Sequence, residues 1–217
     1  MSLTNKFKLS SIALVSAMAM GAMTVPMTAS AELGYNATVS SMYLWRGQDV
    51  SKGSAISGGI DFTDKSGIYA SAWASSGVNG TSGATAGSGY ELDLFVGYAG
   101  EVAGIGYDIS AWSIDYPQVK GADAATETVL GLSYKDFSFG YTMGENKYTY
   151  TTLGYSYDKF GITYGLSDAD GTKYSHVDLS YSASDALAFT ISKASDDNAG
   201  VAEEMLISVS YSLPIGK

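Results

Sequence analysis

Cysteine is absent from this 217-residue chain, and there are only three prolines, one histidine and one arginine. Without cysteine, neither a disulfide framework nor a thiolate metal site can form. A formal charge of −10 with a single arginine excludes nucleic-acid backbones as partners. Beyond residue 31 no run approaches the about 20 apolar residues that a spanning helix needs. A helix-crossing membrane protein is therefore excluded, although strands of about 9–11 residues cross a bilayer without any such run.

The first 31 residues read as a cleaved export signal. Lys6 and Lys8 form a basic start, Leu9 to Met27 is apolar and small, and Ala29-Ser30-Ala31 is a small-x-small cleavage site before Glu32. One domain is expected over residues 32–217. Glycine (26) and tyrosine (17) are abundant, which suits strands and turns better than helices. Hydrophobic content of 46% and a mean hydropathy of +0.05 fit a soluble protein, and equally a barrel whose outward apolar residues alternate with inward polar ones.

From Tyr35 onward the chain alternates almost without pause. The expected fold class is all-β: an antiparallel transmembrane barrel of about twelve strands, with short periplasmic turns and longer outer loops. Ser41 to Asp61 is the organising stretch. It reads as a hairpin that rises to Tyr43 and Trp45, breaks at Arg46-Gly47, and returns through Ile56, Ile60 and Phe62. The first strand is expected over Tyr35 to Trp45, with Tyr43 and Trp45 on the outward face. The third, Ile68 to Ser75, leaves its facing open because Ala70, Ala72 and Ala74 carry no pattern. The fourth sets Tyr90, Leu92, Leu94, Val96 and Tyr98 against Glu91, Asp93, Phe95 and Gly97, an apolar stripe bracketed by tyrosines as at two membrane interfaces. In the fifth, the phase slips near Ala111-Trp112, so a β-bulge is expected there.

Later strands repeat the arrangement, with Leu130, Leu132 and Tyr134 against Glu127, Leu153, Tyr155 and Tyr157 against Gly154, and Val177, Leu179 and Tyr181 against His176 and Asp178. Short links are expected near Asp64, Gly100, Asp136, Asp158 and Asp185. Longer ones are expected near Gly47, Gly80, Gly121, Gly144, Asp170 and Asp197, and Ser76 to Ser88 is the longest. An aromatic girdle is expected from Tyr43, Trp45, Tyr90, Tyr98, Tyr107, Tyr134, Tyr141, Tyr155, Tyr157 and Tyr211. A soluble β-sandwich is the competing architecture. It accounts poorly for inner faces of Gly, Ser and Thr where a solvated face carries lysines.

The pattern Ser41-x-Tyr43-x-x-Arg46-Gly47, followed by Gly58-Gly59-Ile60-Asp61, Ser66-Gly67-Ile68-Tyr69 and Trp73-Ala74-Ser75, resembles the start of the TorF-type porins, first described only as conserved bacterial proteins of unknown function. The resemblance continues through Glu91 to Gly100, Tyr107-Asp108 and Asp115-Tyr116-Pro117, and is looser beyond. It implies an outer-membrane β-barrel, with no settled substrate and no catalytic residues to carry over.

The candidate lumen and selectivity residues are Arg46, Asp61, Glu91, Asp93, Asp108, Glu127, His176 and Asp178. Arg46 near the outer mouth, opposed to Asp61, Glu91, Asp93, Asp108 or Glu127, would set a transverse field. The plainer role is a cation that neutralises buried acids. More acids than bases face inward, so an open lumen prefers cations. His176 and Asp178 share a face about 7 Å apart, but no nucleophile or oxyanion hole is marked, and no enzyme activity is expected. Asp168-Ala169-Asp170-Gly171 lacks the later ligands of a calcium loop and reads as a tight turn. Gly104-Ile105-Gly106 lacks the third glycine and the helix of a dinucleotide site.

No cofactor and no metal are expected. The expected function is a narrow passive channel for small hydrophilic solutes in the outer membrane. A closed structural or binding barrel is second, and a lipid-modifying barrel enzyme third. Expected partners are outer-membrane lipids and lipopolysaccharide, the barrel assembly machinery and the solutes themselves. The chain ends Leu213-Pro214-Ile215-Gly216-Lys217, past the last aromatic Tyr211, so a weak or displaced assembly signal is expected.

Overall fold

The computed structural model describes residues 31–51, 53–78, 89–118 and 124–215. Twelve antiparallel strands close into a barrel, each paired with its sequence neighbour: β1 Glu32–Ser40, β4 Ala55–Thr63, β5 Ile68–Val78, β6 Gly89–Val102, β7 Ile105–Asp115, β8 Ala125–Tyr134, β9 Phe137–Gly144, β10 Tyr148–Tyr157, β11 Phe160–Ala169, β12 Thr172–Ser182, β13 Leu187–Asp196 and β14 Met205–Ser212. Two further strands, β2 Leu44–Trp45 and β3 Gln48–Asp49, pair only with each other. No helix of the described residues is long and apolar enough to cross a membrane.

Period-2 alternation fixes the register, because a one-residue slip would turn every side chain to the wrong face. Leu33, Ile60, Leu94, Val96, Ile109, Leu132, Leu153, Leu179 and Ile207 all lie outside and exposed. Their neighbours Asp93, Asp108, Ser110, Thr163, Asp178, Ser192 and Ser208 lie inside and buried. On β5 the facing left open by the alanines is decided by Tyr69 and Ser75, which are buried inside. Closure is uneven. β1 pairs with β4 along nine residues, Glu32↔Thr63 to Ser40↔Ala55. With β14 it shares only Thr38↔Ser212, Val39↔Tyr211 and Ser40↔Ser210.

Links at one rim are tight: residues 64–67, 103–104, 135–136, 158–159 and 183–186. At this turn rim Asp64 caps its own bend, its carboxylate accepting from the Ser66 N–H at 2.9 Å. The opposite, loop rim carries residues 41–51 and 53–54 between β1 and β4, residues 116–118 after β7, and residues 197–204. Two links there are short against expectation, residues 145–147 and 170–171. Asp170 and Gly171 have φ of 52° and 91°, the paired positive values of a two-residue hairpin, and Asp168 Oδ1 accepts from the Gly171 N–H at 2.7 Å. The tight turn expected there is present. The turn expected near Gly100 falls later, at Ala103-Gly104, and most of Ser76 to Ser88 lies outside the described residues.

Two further expectations are corrected. β7 holds one continuous register with both β6 and β8, so there is no bulge at Ala111-Trp112. The apparent slip arises because Trp112 and Ile114 are interior side chains, buried on the lumen face. The irregularity lies instead at Ser76/Val78, where β5 shifts against β6. The first strand ends at Ser40, and Tyr43 and Trp45 turn into the barrel instead of joining the outer girdle. Their phase with Tyr35 and Val39 is lost at Ser41-Met42, where the chain bends inward. Of the other girdle candidates, Tyr90, Tyr98, Tyr134, Tyr155, Tyr157 and Tyr211 are outward and exposed, while Tyr107 and Tyr141 are half-buried.

Candidate functional site

Between β1 and β4 the chain does not arch over the rim. It folds down into the lumen as the β2–β3 hairpin, with Leu44↔Asp49 and Trp45↔Gln48 paired. Ser51 holds its base. The Tyr43 N–H donates to Ser51 Oγ at 2.7 Å, and that hydroxyl donates to the Gly53 carbonyl at 2.6 Å. The tip is Arg46-Gly47, with φ of 48° and 78°. Both positive values match the two-residue turn that suits hairpin twist. Gly47 is required twice over: its φ favours glycine, and a Cβ there would stand 2.5 Å from His176.

Arginine in the left-handed region costs about 1–2 kcal/mol. What holds it is a buried latch. Nη1 and Nη2 donate to the two Glu127 oxygens at 2.8 and 2.6 Å, with side chains only 8% and 9% exposed. Nη1 also donates to the Tyr148 hydroxyl at 2.6 Å. The guanidinium lies 4.6, 5.2 and 4.7 Å from the ring centres of Trp45, Tyr148 and Tyr150. The Tyr174 hydroxyl donates to the Arg46 carbonyl at 3.1 Å. A bidentate charge-assisted pair with desolvated cation–π contacts, each worth up to about 2 kcal/mol, outweighs the strain. Of the five carboxylates considered as partners for Arg46, Glu127 is the one bonded.

His176 forms the floor beneath the tip. Its Nε2 meets the Tyr150 hydroxyl at 2.7 Å and its Nδ1 meets Asp178 at 3.0 Å. Gly165 on the neighbouring strand leaves room for the ring, since a Cβ there would lie 2.1 Å from Nε2. Ser192 donates to Asp178 at 2.6 Å, so the chain of contacts runs Tyr150, His176, Asp178, Ser192. No serine stands at Nε2, where a nucleophile would have to be.

The remaining candidates are spread along the lumen. Glu91 accepts from the Tyr43 hydroxyl at 2.7 Å. Asp93 is 1% exposed, and its Oδ1 has no hydrogen-bond partner. In the turn-rim half, Asp61 accepts from Asn36 at 2.8 Å and from the Ser71 hydroxyl, and Asp108 accepts from the Tyr69 hydroxyl at 2.7 Å. All eight thus lie inside the barrel. Three pairs among them bond directly: Arg46 with Glu127, His176 with Asp178, and Glu91 with Asp93.

The interior is lopsided. On β5 to β8, Tyr69, Phe95, Trp112 and Val129 pack into an aromatic half, with Phe95 and Trp112 stacked at 4.2 Å. On β12, β13, β14 and β1 the inner face is small and hydroxylic. Against that face lies a cavity of about 130 Å³, running from Met42–Trp45 under the hairpin to Ser182, Ala186 and Ser212 at the turn rim. Sequence reasoning missed Tyr148, Tyr150 and Tyr174, which build the latch pocket. The signal was present: Tyr148 and Tyr150 are in phase with inward Thr152, whereas Tyr155 and Tyr157 are in phase with outward Leu153.

A closed antiparallel barrel of twelve strands with a hairpin latched inside it defines the class. The model of a bacterial protein family of unknown function (Gcw_chp) matches residues 24–202, and the chain belongs to that family. No curated protein matches it.

Proposed function

We propose that this chain is an exported outer-membrane barrel and forms a narrow, cation-preferring passage for small hydrophilic solutes, restricted at its outer mouth by the β2–β3 hairpin. The observation that carries this reading is the pairing of an apolar outer belt with an acid-bearing, partly empty interior. Fully water-facing barrels have no use for such a belt. Barrels of about 8 strands fill with side chains and those of about 16–18 leave wide pores. Twelve strands with an aromatic half and a hairpin leave a small remainder. The TorF-type resemblance supports the same reading. Lipid, lipopolysaccharide and the barrel assembly machinery are then its partners, no cofactor is needed, and the turn rim with both ends of the domain faces the periplasm. We propose no catalytic role for His176, because Tyr150 and Asp178 occupy both ring nitrogens.

A salt gradient across a planar bilayer tests the proposal. The reversal potential should show cation preference, because Arg46 is neutralised by Glu127 and the other lumen acids outnumber bases. Clear anion preference would overturn it. The buried latch favours a second reading, a binding barrel that does not conduct. Absence of conductance at any voltage, with the barrel shown folded by heat-modifiable gel migration, would select that one.

A further inference from the structure

All three tryptophans of the chain line one cavity. Trp45 comes from the hairpin, Trp73 from β5 and Trp112 from β7. Tyr43 joins them, its ring 6.2 Å from Trp45 and 5.6 Å from Trp73. Asp93 lies on the same cavity, almost fully buried, with Oδ1 accepting no hydrogen bond. A buried carboxylate oxygen without a donor is expensive, and its natural complement is a cation. Arg46 does not serve, because its guanidinium is fixed on Glu127.

We infer that this cavity binds a small organic cation of the alkylammonium class, held by the Asp93 carboxylate and enclosed by Tyr43, Trp45, Trp73 and Trp112. Aromatic faces attract a soft, weakly hydrated cation and ask few hydrogen bonds of it. Calcium or magnesium would need about six oxygen ligands. Here Asp178, the other cavity carboxylate, already accepts from His176 and Ser192. At about 130 Å³ the space falls well below the ~300–1,000 Å³ of drug-sized sites, so the ligand is compact. The inference rests on the lumen being reachable by solutes, as the proposed function has it, but not on conduction.

The cavity carries its own reporter, because intrinsic tryptophan fluorescence arises from nowhere else in the chain. Protein folded in detergent is titrated with tetramethylammonium chloride, with sodium chloride at equal ionic strength, and with the uncharged isostere 3,3-dimethyl-1-butanol. The expected result is a saturable change with tetramethylammonium alone. Asp93→Asn should weaken it by about tenfold or more, the size of one lost desolvated contact. Trp45→Leu, which leaves the barrel wall intact, should weaken it as well and serves if Asp93→Asn fails to fold. Equal responses to sodium or to the neutral isostere overturn the inference, as does wild-type affinity in both variants. Binding without conductance would remove the channel and leave the site. Conductance without binding would do the reverse.

Discussion

At the scale of single residues, an atypical backbone is held by a dense set of side-chain partners. Arg46 has a left-handed φ and yet meets Glu127, Tyr148, Tyr150 and Trp45. Removing one member of a buried ion pair costs about 3–5 kcal/mol when nothing else moves. Here something can move, because the hairpin has an alternative in water. Arg46→Ala is therefore expected to release the hairpin, with a smaller loss of barrel stability than a locked site would suffer. Trp45 emission should shift to the red. Arg46→Ala combined with Glu127→Ala should be less destabilised than the sum of the single changes, as read by guanidinium unfolding in vesicles. The importance of Arg46 was legible from its being the sole arginine. Its partner was not, because Glu127 stands 81 positions away and four other acids fitted equally well on paper. The tyrosines of the pocket carried a phase signal, but the same residue type also forms the outer girdle, and type without phase does not separate the two.

At the scale of elements, the β2–β3 hairpin was the feature sequence reasoning placed wrongly. The alternation of Tyr35, Val39, Tyr43 and Trp45 reads as one long strand, and only a bend at Ser41-Met42 sends the second half inward. Nothing local forbids either course; the tertiary contacts of Arg46 decide it. The twelve barrel strands, by contrast, were readable because most repeat an outward apolar and inward small or polar pattern, with exceptions such as the large interior rings of Tyr69 on β5 and Trp112 on β7, and because their pairing follows chain order. The hairpin adds no rung to the barrel wall. Replacing residues 43–49 by a short Gly–Ser linker should then leave a heat-modifiable barrel, since β1 and β4 still pair along nine residues. Conductance should rise markedly. Gly47→Ala should act in the same direction, because its Cβ meets His176.

At the scale of the whole molecule, the sign of the outer surface is the question that matters. Leu94 is 51% exposed in the middle of β6, next to buried Asp93. If hydrocarbon covers it, Leu94→Lys should cost about 2–4 kcal/mol in vesicles. If water covers it, the change should stay within about 0.5 kcal/mol. Equilibrium unfolding in lipid vesicles separates the two. The joint between β1 and β14, only three residue pairs long, has a consequence of its own for assembly. Those two strands stand at opposite ends of the domain, so the cylinder can be sealed only after the whole chain has been made. The strand that supplies one lip of that joint runs directly into the segment destined for the interior. Whatever brings the last strand home must therefore find the tip of the hairpin already tucked inside, or carry it in with the same stroke.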